Sequence, residues 1–179
     1  MPIFIALLRG INVSGKNVIK MDTLRECFGQ LGFTGVRTYV QSGNVVFGNA
    51  NASGSRLRKT IEQAILSEIG FAVPVLLRTS KQFAEIAGGN PFLQQSEIDA
   101  SKLHVTFLSD NPPQNALALL RPLANTSEKL CIIGREIYLY CPDGYGNTRL
   151  SNTAIEKKLS VCATTRNWNT VNTLHSMSR

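Results

Sequence analysis

The amino-acid sequence predicts an α+β fold of two ferredoxin-like (split β-α-β) subdomains with antiparallel sheets, a structural duplication closed by a C-terminal helix. Three observations lead there. An apolar run of strand length opens each half, at Ile3 to Leu8 and Leu103 to Leu108,. A hairpin signal follows each run, and amphipathic helical periods flank both hairpins,. With 179 residues, 43% of them hydrophobic, the chain suits one compact protein of one or two small domains,.

The elements follow in order. After the strand Ile3 to Leu8 comes a polar, glycine-bearing loop from Arg9 to Lys20, with Asp22 placed as a helix N-cap,. Leu24, Cys27, Phe28 and Leu31 recur at helical spacing and make one stripe, which Gly32 ends,. Val36 to Val40 and Val45 to Phe47 read as strands around the turn Gln41-Ser42-Gly43-Asn44,. The small polar stretch Asn49 to Ser55 precedes a helical period from Leu57 to Ile69, and a strand is expected at Val73 to Leu77,. That completes an N-terminal subdomain over 1–79.

Residues 80–102 form a connecting helix and loop, with the helix near Lys81 to Ala87 and loop chemistry at Gly88-Gly89-Asn90-Pro91,. The C-terminal subdomain, 103–179, begins with Leu103 to Leu108 and a short helix at Gln114 to Leu120. A hairpin then pairs Leu130 to Ile133 with Ile137 to Tyr140, and a helix runs from Asn152 to Leu159, with Thr153 and Glu156 at capping-box spacing,. The order β-α-β-β-α thus occurs twice. A last helix carries Trp168, Val171 and Leu174 on one face,.

Composition excludes several classes. No stretch approaches the roughly 20 apolar residues of a membrane-spanning helix, and Arg9 breaks the first apolar run,. Cys27, Cys131, Cys141 and Cys162 show no C-x-x-C spacing, which points to free thiols in a reducing cytoplasm,. His104 and His175 stand apart from each other and from the cysteines, so neither a metal site nor a cofactor is expected,. There is no G-x-S-x-G elbow, no H-E-x-x-H helix and no close Cys/His pair,. Catalytic residues are therefore not assignable.

Charge is unevenly spread. Residues 1–61 carry a net +6, residues 62–143 a net −3 and residues 144–179 a net +4. Basic segments of this kind attract phosphates through their long-range field. Gly10 to Asn17 matches the phosphate-binding pattern G-x-x-x-x-G-K-[ST] except at its last position, where Asn17 lacks the hydroxyl that holds magnesium,. Val18-Ile19-Lys20-Met21 also intervenes before the helix, and an antiparallel order disagrees with nucleotide-hydrolysing P-loop folds. The weaker reading is a cationic loop, with Arg9, Lys16 and Lys20 beside Asn12, Ser14 and Asn17; the alternative is a solvated surface loop,. Arg149 precedes a helix N-terminus, and Thr164 to Thr170 gathers donors around Arg166 and the only Trp,.

Together these suggest one cleft between the halves, lined by Arg9, Asn12, Lys16, Asn17, Lys20, Gln41, Asn44, Arg149, Thr165, Arg166 and Asn167. Its partner would be a phosphorylated small molecule, such as a nucleotide, or a nucleic acid. The alternatives are an enzyme acting on a small anionic substrate and a protein-interaction module. Oligomeric state is not legible.

The segments Ala6 to Val13, Gly15-Lys16-Asn17, Lys20-Met21, Thr38-Tyr39, Gln41 to Phe47 and Thr164 to Val171 resemble a bacterial family called domain of unknown function 1697. The resemblance implies a cytosolic bacterial α+β protein of ferredoxin-like subdomains, without an established activity. Ser14 departs from it, since the family often carries Gly there.

Overall fold

The computed structural model describes residues 1–50 and 54–179; residues 51–53 of the polar stretch expected at Asn49 to Ser55 lie outside them. The chain forms two compact units, Met1–Glu85 with Thr173–Arg179, and Ile86–Asn172. Among the described residues no helix is long and apolar enough to cross a membrane.

In the first unit the strands are β1 (Ile3–Leu8), β2 (Thr34–Tyr39), β3 (Asn44–Gly48) and β4 (Val75–Thr79), with helices α1 (Met21–Gln30) and α2 (Gly54–Ile69). The sheet order is β2-β3-β1-β4. All its pairings are antiparallel. Strand geometry sends alternate side chains to opposite faces. Phe4, Ala6 and Leu8 therefore pack with Leu24, Phe28, Leu57, Ile61 and Ile65 of the two helices. Ile5 and Leu7 point the other way and are equally buried. Phe47 is the aromatic hub: its ring lies 4.6 Å from Phe33, 5.2 Å from Phe28 and 5.8 Å from Phe4.

Helix α3 (Ser80–Gly88) starts directly from β4. Thr79 Oγ1 accepts from Gln82 N at 3.2 Å while Gln82 Oε1 accepts from Thr79 N at 2.9 Å, a reciprocal cap,. The second unit repeats the layout with β5 (Leu103–Leu108), α4 (Ala116–Leu120), β6 (Lys129–Ile133), β7 (Glu136–Tyr140), α5 (Asn152–Leu159) and β8 (Ala163–Asn167). Its order is β6-β7-β5-β8, and α6 (Trp168–Met177) leaves directly from β8 as α3 leaves β4. Leu108, Ile137, Leu139, Ala116, Leu120, Ile155 and Leu159 form its core. The duplication extends to register. Ile5 lies opposite Arg78, and Val105 lies opposite Arg166, both arginines buried.

Several local expectations change. The second half has the fourth strand, β8, that the donor-rich segment Thr164 to Asn167 concealed. Among the described residues it pairs only with β5, and that pairing is a tertiary fact. Helix α5 is capped by Ser151, whose hydroxyl accepts from Ala154 N at 3.2 Å, and not by Thr153 with Glu156. Glu156 instead accepts from Ala163 N at 3.0 Å. Helix α1 begins at Met21 behind Lys20, and Asp22 pairs with Arg25 one turn on. All four cysteines are free thiols, and burial pushes Cys141 up to about 11 and raises Cys27 as well.

Because Phe47 touches three aromatic rings in a fully buried position, Phe47→Ala is expected to cost about 3–5 kcal/mol. Equilibrium urea unfolding measures it.

Candidate functional site

Seven of the predicted site residues belong to the first unit, and they gather where β1 runs out of its sheet. Leu8 N donates to Gly43 O at 2.8 Å and Arg9 N to Pro74 O at 2.9 Å, so the chain leaves the sheet under restraint. Between the buried residues Ile11 and Ile19, positions 13 to 18 are all exposed. They form a miniature hairpin. Asn12 N donates to Asn17 O at 3.2 Å and Lys16 N to Val13 O at 3.0 Å. Ser14 (φ +51°) and Gly15 (φ +72°) are both left-handed, which is the type I′ geometry of a two-residue hairpin turn,. This finger is not the helix-borne phosphate cradle of a P-loop.

Asn12 anchors the finger at its base. Its Nδ2 donates to Ile19 O at 3.0 Å and to Gln41 O at 2.7 Å, and its Oδ1 accepts from Ile19 N at 2.8 Å. Asn17 Nδ2 donates to Gly10 O at 3.0 Å. Both carboxamides thus face the protein backbone. The Gln41 contact joins the finger to the turn between β2 and β3. Asn44, fully buried, holds that turn by donating to Tyr39 O at 2.9 Å and Ser42 Oγ at 3.0 Å. Gly43 is sterically required, since a Cβ there would sit 2.7 Å from Ile11 Cδ1 and from Leu8 Cβ.

Backbone strain concentrates here. Among the described residues five non-glycines have positive φ, and four of them, Asn12, Ser14, Asn17 and Val40, lie in the finger and this turn. Val40, at +51°, is β-branched and especially disfavoured in that region,. Such outliers persist only where surrounding contacts impose them, and they cluster at functional sites. Lys16 and Lys20 are exposed, and their ammonium groups have no hydrogen-bond or ion-pair partner among the described residues. Arg9 is half-buried and Gln41 exposed.

The other four predicted residues lie in the second unit, each engaged locally. Arg149 donates from Nη2 to Pro122 O at 2.8 Å and from Nε to Leu123 O at 3.3 Å, covering the end of a short helical turn. Arg166 is 7% exposed and donates to Thr164 Oγ1 at 2.8 Å and Thr165 O at 3.0 Å. Asn167 Oδ1 accepts from Thr170 N at 2.8 Å and so caps α6. Thr165 Oγ1 sits at the centre of a network, donating to Asn152 Oδ1 at 2.7 Å. Its single proton being used there, Thr106 Oγ1 at 2.7 Å and Tyr145 OH at 3.1 Å both donate to it,.

His104, on the same strand as Thr106, stacks on Tyr145 with ring centroids 4.9 Å apart. Its Nδ1 donates to Lys102 O at 3.3 Å, which assigns the tautomer, and burial holds its pKa below the usual histidine value. Ser14, a donor of the loop in the sequence, is here half of its turn with Gly15, and Val13, Val18 and Val40 join the site without a sequence signal of their own. The Ser-Gly dipeptide between Val13 and Lys16 was the one local signal for the finger.

Two outcomes follow. Asn12→Ala removes three bonds at the finger base; a stability loss of about 1–3 kcal/mol is expected. Amide exchange should accelerate across the finger before the sheet, which hydrogen-exchange mass spectrometry reads. For His104, the unfolded imidazole protonates near 6.5 and the folded one only at lower pH, so acid favours unfolding. Stability should fall as pH drops through 6.5, and His104→Gln should flatten that fall in denaturant titrations at a series of pH values.

No curated protein matches the chain. A solved structure, the conserved bacterial protein SP0830 from Streptococcus pneumoniae, superposes with a TM-score of 0.78 at 22% identity, covering 99% of each chain. That likeness shows the fold. The model of the family described as protein of unknown function (DUF1697) matches residues 1–138, most of the sequence, and the chain belongs to that family.

Proposed function

We propose that this protein binds a phosphorylated ligand, and that the finger with its neighbouring turn in the first unit is where the phosphoryl group docks. The observation that carries this reading is the concentration of left-handed residues at Asn12, Ser14, Asn17 and Val40 around two lysines without a partner among the described residues. A backbone held in such conformations keeps amide N–H groups turned outward, and successive amides of this kind form anion-binding concavities. The N–H groups of Ser14 and Gly15 have no acceptor among the described residues. No acidic residue lies between Arg9 and Lys20 to neutralise the lysines. The long-range field of residues 1–61, at net +6, adds to the attraction,.

Phosphate-bearing ligands binding only the folded protein raise its stability by RT ln(1 + [L]/Kd), about 2.7 kcal/mol at a hundredfold excess over Kd. A thermal-shift screen of nucleotides, sugar phosphates and oligonucleotides should show selective stabilisation of the wild type. Lys16→Glu and Lys20→Glu should each abolish it without lowering the ligand-free melting temperature. Unchanged shifts in both variants would remove the finger from the site.

A further inference from the structure

We infer that the ligand of the finger is a polymer, a nucleic-acid strand recognised through its phosphodiester backbone; this rests on the phosphoryl-binding reading above. Sites for small molecules are concave and bury most of the ligand. Here six consecutive residues, 13 to 18, are exposed between two buried isoleucines, so the feature is a projection. A projection binds what supplies its own concavity. The grooves of a nucleic acid do, and a major groove wide enough to admit a two-stranded β-ribbon also admits this shorter turn, closed by the single Val13–Lys16 bridge,.

Charge and apolar surface agree with that partner. Lys16 and Lys20 present two cations without an intervening acid, suited to successive phosphates,. Val13, Val18 and Val40 remain 59%, 63% and 49% exposed. They are available to sugar and base faces, while three valines without an aromatic or long aliphatic side chain are a poor membrane anchor. Donors for reading base edges are few, because the carboxamides of Asn12 and Asn17 face inward. Binding is therefore largely independent of sequence.

The duplication supplies an internal control. The β1–α1 connection spans residues 9–20, whereas the equivalent β5–α4 connection spans only 109–115. The fold closes the same step without a finger. Its additional length serves something other than closure.

The test is fluorescence anisotropy with labelled 20-mers of single-stranded RNA, single-stranded DNA and duplex DNA. Mononucleotides and 5-mers serve as competitors, and vesicles of mixed phosphatidylglycerol and phosphatidylcholine as a separate arm. Affinity should rise with oligomer length, mononucleotides should not compete at millimolar concentration, and the log–log salt slope should include about −1.4 to −1.8 from the two lysines. The paired substitution Lys16→Gln/Lys20→Gln should remove that part of the slope and weaken binding at least about tenfold at low salt, with the melting temperature unchanged. The RNA and DNA arms identify which strand is preferred. Competition by mononucleotides at equal phosphate concentration would overturn the polymer while leaving phosphoryl binding intact. Finger-dependent binding to vesicles but not to oligonucleotides would also overturn it. Wild-type oligonucleotide binding by the paired variant would overturn the site, and silence toward every phosphate would sink the underlying reading as well.

Discussion

Strands β1 and β5, each an inner strand of its sheet, are buried on both faces almost throughout, and this constraint governs the rest of the fold. In β1 every residue from Phe4 to Leu8 is buried, and in β5 only His104 is partly exposed. A strand of this kind must lie between neighbours, covered above and below. Antiparallel pairing on both sides, β3 and β4 for β1 and β7 and β8 for β5, meets that need twice with one topology. The helices then follow from the alternation of side chains, since Phe4, Ala6 and Leu8 demand the apolar stripes of α1 and α2.

Polar residues enter this scheme at defined places. In the second unit Thr106 occupies the register position that Ala6 holds in the first, and its hydroxyl is satisfied by Thr165 on the adjacent strand. A buried hydroxyl without such a partner would cost more than the bond contributes, so Thr165 and Asn152 belong with Thr106 as one unit. Arg78 and Arg166 are likewise equivalent in register, each with a guanidinium bonded to its own strand. The two halves thus share geometry to the level of single side-chain directions while sharing little residue identity.

Most of the fold was legible because its elements announce themselves locally. The limits of Ile3–Leu8, Leu103–Leu108 and Asn152–Leu159 follow from runs and periods within a few residues. Strand β8 was not legible: Thr164, Thr165 and Arg166 read equally well as ligand donors until their register with β5 is known. The candidate site divides the same way. The cations and glycines of the first loop are visible in sequence, as is the turn at Gln41 to Asn44. The Asn12 carboxamide is another matter, because its role depends on a carbonyl 29 positions away that only the folded sheet delivers. Positive φ at Asn12, Asn17 and Val40 is imposed by these contacts and leaves no composition signal beyond the asparagines themselves.

The turn at Ser14-Gly15 has a consequence for protein engineering. Ser14 holds φ at +51° as an L-residue with a Cβ, a conformation that costs about 1 kcal/mol or more,. Glycine adopts it freely but surrenders more chain entropy on folding, about 0.5–1 kcal/mol. The two effects oppose each other with the steric one the larger. Position 14 is thus one of the uncommon sites where introducing the most pliant residue would make a protein more stable, relieving strain at the tip of the finger without disturbing a buried atom,.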